Sequence, residues 1–415
     1  MKNFLKNLKI KRRIITLFYS LYIFRNPSSK MKVIGVTGTN GKTTTTTLLY
    51  EISKALGYKT GLIGTVENRI GEEKIPSTHT TPDTRQLYRL LRKMLKEGCE
   101  YVFIETSSHA LHQGRTAGVN FTGGVFTNLT HDHLDYHKDF ERYFSAKKKL
   151  FRKLQKDKFA LSNIDDGNGK KILAGIKARR FTYGFEKPAD FFGKIISMDF
   201  SGIELDINGE RIKSKLLGRF NAYNLLAVFS VCKLLGFSNS QKNKERISLI
   251  FEKITPPAGR FEYFLSPSGV LVIIDYAHTP DALEKVIQTA RGILGKGGKL
   301  ITVFGCGGDR DPTKRPTMGR IGAEFSDVAV FTSDNPRSEN PGKIIEEMKT
   351  GLSEELLSKV MTFSNRREAI KNSVNVAKKG DIILCAGKGH EDYQEVKGVK
   401  NHFDDKEEYK MIYGL

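Results

Sequence analysis

Seven residues, Gly38 to Thr44 in "GVTGTNGKTTTT", have the types and spacing to hold an anion. Gly38 and Gly41 let main-chain N–H groups turn inward around Thr39 and Asn40. The ammonium of Lys42 can reach the β- and γ-phosphates of a nucleotide, and the Thr43 hydroxyl, with Thr44 beside it, can ligate Mg²⁺. Val36 stands where the common GxxxxGK[ST] pattern has its first glycine. A glycine turn with a surface lysine is the competing reading. The apolar run before the loop and the helical spacing after it favour phosphate.

"ETSSHALHQGR" (Glu105 to Arg115) and "TNLTHDHLDYH" (Thr127 to His137) place five of the nine histidines within 29 residues. A zinc cluster is one reading of so many imidazoles. Beside a phosphate loop a harder ion fits better, Mg²⁺ held by Glu105 and one histidine. A third reading is polar strand ends with no ligand role. "FSAKKKLF" offers Lys147, Lys148 and Lys149, and nothing in composition selects one of them.

Later in the chain "DYAHTPDAL", "CGGDRDPTKRP", "SDNPRSENP" and "AGKGHEDYQ" each follow an apolar run. Asp, Arg, Asn and Glu at strand ends suit a zwitterionic ligand that bears carboxylates, because arginine binds carboxylate through two parallel bonds. "GCGG" lacks the spacing of a dinucleotide turn.

These residues need strand tips to stand on. "MKVIGVTG", "YVFIETSS" and "GGVFTNLT" read as buried strands with polar tips, alternating with helices, which predicts a parallel sheet with its site at the strand C-terminal ends. Residues 178–215 read as short strands with a hairpin at Asn208-Gly209 and predict a small antiparallel flank. "ITPPAGR" breaks the pattern, after which a second doubly wound unit begins. The domains expected are residues 31–255 and 256–415, preceded by a segment over 1–30.

The 415 residues suit two or three domains. The net charge of +22 is scattered and no base-stacking motif accompanies it. We read it as a solvated lysine-rich surface that also attracts polyanionic small substrates, with no nucleic-acid partner. Cys99, Cys232, Cys306 and Cys385 lie far apart, which fits a reducing cytoplasm. The basic "MKNFLKNLKIKRR" leads into eleven apolar residues, Ile14 to Phe24, too few to span a bilayer. That predicts a helix that packs on the body or makes a weak membrane-surface contact.

Taken together and in this order, "GVTGTNGKTTT", "TTPD", "SSHAL", "TNLTHDHLDYH", "DYAHTPDAL", "CGGDRD", "DNPR" and "GKGHEDYQ" resemble the Mur ligases, from about Lys32 to the C-terminus. The resemblance implies an α/β protein: a P-loop central ATPase domain followed by a Rossmann-like C-terminal domain. It implies ATP and Mg²⁺, with ATP held by the loop, Asn128, Arg260 and Asp275. The metal would sit among Thr43, Glu105, His133 and Lys147, and Lys147 matches the family lysine that is carbamylated by CO₂. Thr80, Thr81, Ser107, Gln113 and Arg115 would contact the muramoyl-peptide substrate. Arg310, Asp334, Asn335, Arg337, Gly387 and Glu391 would hold the amino acid, and "DNPR" marks family members that choose meso-diaminopimelate over lysine.

The reaction implied is ATP-dependent addition of meso-diaminopimelate to UDP-N-acetylmuramoyl-L-Ala-D-Glu through an acyl phosphate, in peptidoglycan biosynthesis, with hinge closure near "ITPPAGR". A folylpolyglutamate-type or other Mur-like ligase with a different carboxylate acceptor is the alternative. The family pattern has a UDP-binding domain before the loop, where this sequence has about thirty residues. The expectation is that the UDP group is held weakly, that a partner holds it, or that the acceptor differs.

Overall fold

Val33, Ile34 and Val36 have no exposed surface, although they point to alternating faces of one strand. Only a strand covered on both faces allows this. The computed structural model describes residues 26–130 and 132–415. The segment read above as an N-terminal helix, Ile14 to Phe24, lies outside the described residues. Among the described residues no helix is long and apolar enough to cross a membrane.

Contacts divide the chain after Ile254 into two units. In the first, β1 (Lys32–Thr37) lies at the centre of an 11-stranded sheet. The other strands are β2 (Thr60–Ile63), β3 (Glu67–Ile70), β4 (Glu73–Pro76), β5 (Tyr101–Glu105), β6 (Phe121–Phe126), β7 (Phe159–Asn163), β8 (Arg179–Gly184), β9 (Phe191–Asp199), β10 (Gly202–Ile207) and β11 (Glu210–Ser214). The order is β11-β10-β9-β8-β7-β6-β1-β5-β2-β3-β4. From β9 to β2 the ladders are parallel.

Ile34 and Val36 pack on one face with Leu48, Leu49 and Ile52 of helix Lys42–Ala55 and with Leu225 and Phe229 of helix Arg219–Leu234. Val33 packs on the other with Leu87, Leu91 and Met94 of helix Thr84–Lys96 and with Leu150 and Phe151 of helix Phe140–Arg152. The sheet is thus the middle of three layers, and its parallel strands all direct their tips to one end.

Within residues 178–215 the antiparallel ladders are β9–β10 and β10–β11, the latter turning at Asn208 and Gly209, both with positive φ. β8 instead extends the parallel part, because the helical crossover Gly169–Leu173 brings it back beside β7 in the same direction. A second antiparallel edge, β2-β3-β4, turns at Gly71 with φ +56°.

The second unit has strands β12 (Glu262–Leu265), β13 (Leu271–Asp275), β14 (Leu300–Cys306), β15 (Val328–Ser333), β16 (Val360–Phe363) and β17 (Ile382–Ala386) in the order β12-β13-β17-β14-β15-β16. Only β12 is antiparallel to its neighbour. The hairpin β18 (Tyr393–Val396) and β19 (Val399–His402) follows. Arg366, with 1% of its surface exposed, forms two 2.7 Å bonds to Asp405 and also donates to the carbonyls of Ser333 and Ala386. That buried pair fixes the ends of β15 and β17, from which the motif loops leave.

Candidate active site

Asp83 and Asp139 cap their helices by accepting a main-chain N–H. The helix after β1 begins instead at Gly41, φ +83°, with no side-chain cap. A helix start without a side-chain cap, reached through a glycine bend, is the kind of end that suits an anion. A Cβ on Gly41 would lie 2.4 Å from Asn224 Oδ1, and one on Gly38 would lie 1.8 Å from Thr127 Oγ1. Both glycines are therefore required by space. Gly41→Ala is expected to lower stability by about 1–3 kcal/mol, since alanine would adopt a left-handed φ against a packed asparagine. Denaturant unfolding with and without ATP checks this: the ATP-induced gain in stability should shrink as well.

The bend is clamped from β6. Asn128 accepts from Asn40 N (2.9 Å) and donates to Asn40 O (3.1 Å), while Thr127 Oγ1 donates to Asn40 O at 2.6 Å. Thr39 N donates to Asn128 O at 2.9 Å, and Thr39 Oγ1 pairs with the Tyr143 hydroxyl at 3.0 Å. Asn128 thus shapes the loop in this state by holding its main chain. Lys42 Nζ donates to the carbonyls of Gly38 (3.0 Å) and Thr39 (2.7 Å), folding its ammonium over the bend. Thr44 is buried behind it.

Glu105, at the tip of β5, is buried and accepts from Thr43 Oγ1 (3.0 Å), Thr65 N (2.8 Å) and Thr65 Oγ1 (3.0 Å). Lys147, 1% exposed, donates to Gly38 O at 2.6 Å. Burial, and then the charge of Lys42, hold its amine well below the usual lysine pKa. The phosphate loop, a buried carboxylate with a hydroxyl and a lysine inclined to be neutral are thus gathered within one network.

His133 is exposed, at φ +54°, with its ring 4.8 Å from that of His109. His112 pairs with the Tyr136 hydroxyl (3.0 Å), and His137 with Ser108 Oγ (3.0 Å). Among the described residues no three His, Cys, Asp or Glu side chains stand within reach of one metal ion. Among those residues the zinc reading has no ligand set, and His131 lies outside them. Mg²⁺ beside Glu105 would complete its shell with phosphate and water oxygens, as that ion ordinarily does.

Burial, then the charges of His109 and His112, lower the pKa of His137 to about 4. An unfolded histidine takes its proton near pH 6.5, so protonation favours unfolding. Stability from this group is complete above about pH 6.5 and is lost as pH falls toward 4. Denaturant midpoints at pH 7 and pH 5 should differ less in His137→Asn than in the wild type.

The residues expected to meet the acceptor form one chain of bonds. Thr80 Oγ1 lies 3.1 Å from Thr65 Oγ1, and Thr81 Oγ1 donates to Glu105 O at 2.6 Å and accepts from Ser107 N at 3.0 Å. Arg115 bonds Thr81 O (2.8 Å) and Gln113 Oε1 (2.8 Å), and Gln113 reaches the Tyr136 hydroxyl at 3.1 Å.

In the second unit Asp275, at the tip of β13, accepts from Phe261 N (2.7 Å) and Ala277 N (2.8 Å). Burial raises its pKa to about 6, against the opposing pull of Arg260. The Arg260 guanidinium lies 4.7 Å from the Tyr276 ring centre, and its buried Nε has no partner. A buried, unsatisfied donor suits an anionic ligand.

β14, β15 and β17 deliver the remaining motifs to one edge of this sheet. Asn335 Nδ2 donates to Glu391 Oε2 at 2.8 Å. Arg337, at φ +51°, donates to Gly308 O at 2.7 Å, and its Nε lies 3.6 Å from Glu395. Gly387, at φ +114°, passes beside Asp334, whose Oδ1 is buried without a partner. Arg310 is exposed on the loop facing Arg337, the stem of one and the head of the other both near Gly307. Cations, carboxylates and an amide thus converge as an amino acid's own groups require.

The sequence matches the Mur ligase middle domain over residues 36–232 and the Mur ligase, glutamate ligase domain over residues 259–389. This chain belongs to the Mur ligase family. A protein of Bacteroides thetaiotaomicron named UDP-N-acetylmuramoyl-L-alanyl-D-glutamate–2,6-diaminopimelate ligase is 49% identical to this Mur ligase over 401 residues, 97% of this chain and 81% of its own. The protein of the same name in Cytophaga hutchinsonii is 51% identical over 383 residues, 92% of this chain and 78% of its own. A solved structure of a ligase of that name has a TM-score of 0.69 at 33% identity, covering 96% of this chain and 82% of the other. Folylpolyglutamate synthase of Mycobacterium tuberculosis, complexed with ADP, shares the fold with a TM-score of 0.70 at 17% identity, covering 92% and 94%.

The geometry also brings in residues of this Mur ligase that the sequence reading passed over. Thr65, after β2, is a further polar strand tip that binds Glu105. Asn221 and Asn224 are buried in an otherwise apolar helix, bonded to each other at 3.0 Å, and Asn224 packs over Gly41. Two asparagines three apart in the apolar "NAYNLLAVFS" were the available signal. Lys388 is fully buried, with Nζ 3.4 Å from Asn335 Oδ1 and 3.5 Å from Glu391 Oε2.

Proposed function

We propose that this Mur ligase joins meso-diaminopimelate to the free γ-carboxylate of D-glutamate in UDP-N-acetylmuramoyl-L-alanyl-D-glutamate, consuming ATP, in peptidoglycan biosynthesis. The observation that carries the substrate choice is 49% identity across 97% of the chain with a ligase named for these compounds. The site supports the same chemistry. The γ-carboxylate oxygen attacks the γ-phosphorus of ATP, ADP departs, and an acyl phosphate forms. The diaminopimelate amine then attacks the acyl carbon through a tetrahedral intermediate. Phosphate leaves, the amine loses its proton, and the amide remains.

Gly38, Gly41 and the uncapped helix start fit a polyphosphate, and buried Glu105 with Thr43 fits Mg²⁺. The metal, when bound, neutralises charge on the transferring phosphoryl group. Lys42 supplies a second cation there, aimed by its bonds to the loop. In this reading Thr43, Glu105, His133 and a carbamylated Lys147 would hold the metal. Arg260 and Asp275 contact the nucleotide. Thr80, Thr81, Ser107, Gln113 and Arg115 orient the acceptor. Arg310, Asp334, Asn335, Arg337, Gly387 and Glu391 hold the amino acid. "DNPR" speaks against a folate acceptor.

Phosphate release from ATP is the direct test, with the UDP-linked muramoyl dipeptide as acceptor and either meso-diaminopimelate or lysine added. Release that requires both acceptor and diaminopimelate is expected. Equal release with lysine, or none from protein that binds ATP, overturns the substrate assignment.

A further inference from the structure

Arg315 is the second residue of helix Lys314–Phe325 and one of the largest fully buried side chains of the described residues. It donates to Gly307 O at 3.4 Å but makes no hydrogen bond to the residues of the expected amino-acid set. Its guanidinium instead holds Glu339 with both oxygens, Nη1 to Oε2 at 2.9 Å and Nη2 to Oε1 at 2.8 Å. Nη1 also meets Glu347 at 2.6 Å. Glu339 then uses Oε1 a second time, accepting from Asp309 N at 2.6 Å. Asp309, at φ +53°, returns the contact: its carboxylate accepts from Ser338 Oγ (2.5 Å) and Ser338 N (3.3 Å).

The two loops so joined carry Arg310 and Arg337. They meet main chain to main chain, Gly308 N donating to Asn335 O at 2.9 Å, and a Cβ on Gly308 would lie 2.0 Å from Pro336 O. Arg337 Nη1 rests on Gly308 O, so the place of its head group follows the place of the first loop. Salt bridges at a surface contribute little, but this one is anchored on a buried, bidentate guanidinium and governs a strained turn.

We propose that Arg315 and Glu339 are a positioning pair that aligns Arg310 with Arg337 and thereby sets affinity and selectivity for the dicarboxylic amino acid. The proposal deepens the diaminopimelate reading above and rests on it. Glu347 supplies the control, because it shares Arg315 but bonds neither loop.

The test compares Glu339→Ala with Glu347→Ala, with Glu339→Gln as the milder variant if alanine impairs folding. In the Glu339 variants KM for diaminopimelate should rise at least tenfold. KM for ATP should stay within twofold, and the preference for diaminopimelate over lysine should fall. In Glu347→Ala these constants should stay near wild type even where thermal stability drops equally. Amide exchange of Asp309 and Ser338 in the substrate-free protein should quicken at least tenfold only in the Glu339 variants. That readout does not depend on which amino acid is used, so a wrong substrate assignment and a wrong positioning pair give different results. Unchanged exchange at Asp309, or equal kinetic effects in the Glu339 and Glu347 variants, overturns the proposal.

Discussion

Lys147→Ala is expected to remove ligase activity, lowering kcat by about 10³ or more, the scale set by losing a preorganised electrostatic group at a transferring phosphoryl centre. The argument begins from burial. A lysine 1% exposed, with the Lys42 ammonium nearby, is driven toward the neutral amine. A neutral amine has a free lone pair that can attack the carbon of CO₂. Loss of a proton then leaves a carbamate, and a group that repelled Lys42 becomes one that attracts it and can serve Mg²⁺.

The competing role is mechanical, since Lys147 Nζ also supports the loop through Gly38 O at 2.6 Å. Lys147→Arg separates the two. Arginine keeps a donor for the loop but forms no carbamate under these conditions. Both variants should be inactive, added bicarbonate should restore neither, and ¹³C-bicarbonate should label the wild type alone. Full phosphate release from Lys147→Ala would remove the carbamate from the mechanism. An active Lys147→Arg would leave the residue only its hold on the loop.

The tips around the loop were legible because β1, β5 and β6 are each an apolar run that ends in polar residues. "VIGVTG", "YVFIETSS" and "GGVFTNLT" become β1, β5 and β6, and their tips meet. The sequence could not show what those tips do to each other. That Asn128 would hold Asn40, or that Thr81 would tie the end of β5 to Arg115, depends on ladder register and on which tips are neighbours in the sheet. β8 shows the same limit. Its short, mixed run "RRFTYG" looks like the antiparallel strands after it, and only the crossover helix makes it parallel to β7. Arg315 and Glu339 stand inside "CGGDRDPTKRP" and "SDNPRSENP", but nothing in the sequence pairs the one with the other. The burial of Arg315 against Glu339 is a tertiary fact.

Arg337→Ala is expected to reduce kcat/KM for diaminopimelate by about 10²–10³, or about 3–4 kcal/mol, within the range of roughly 2–5 kcal/mol lost when one partner of a charge pair is removed and the other left buried. Turnover of lysine, which lacks the distal carboxylate, should change by far less, so the preference between the two amino acids should collapse. The backbone does not confound the comparison. Residue 337 sits at φ +51° whether it is arginine or alanine, so the strain of a left-handed non-glycine residue is common to both. The main-chain bonds Arg337 N to Glu395 O (3.0 Å) and Lys397 N to Arg337 O (2.6 Å) also survive the substitution.

What is lost is the head group, held on Gly308 O and beside Glu395, with 22% of the side chain exposed. KM for ATP is the internal control, because Arg337 makes no hydrogen bond to Arg260 or Asp275, the residues of its own unit assigned to the nucleotide. A parallel loss for both amino acids would mean that Arg337 maintains the loop and does not read the carboxylate. An unchanged preference would move selectivity to Arg310. In that case Arg310→Ala should produce the collapse instead, and the same assay with the same two amino acids would show it.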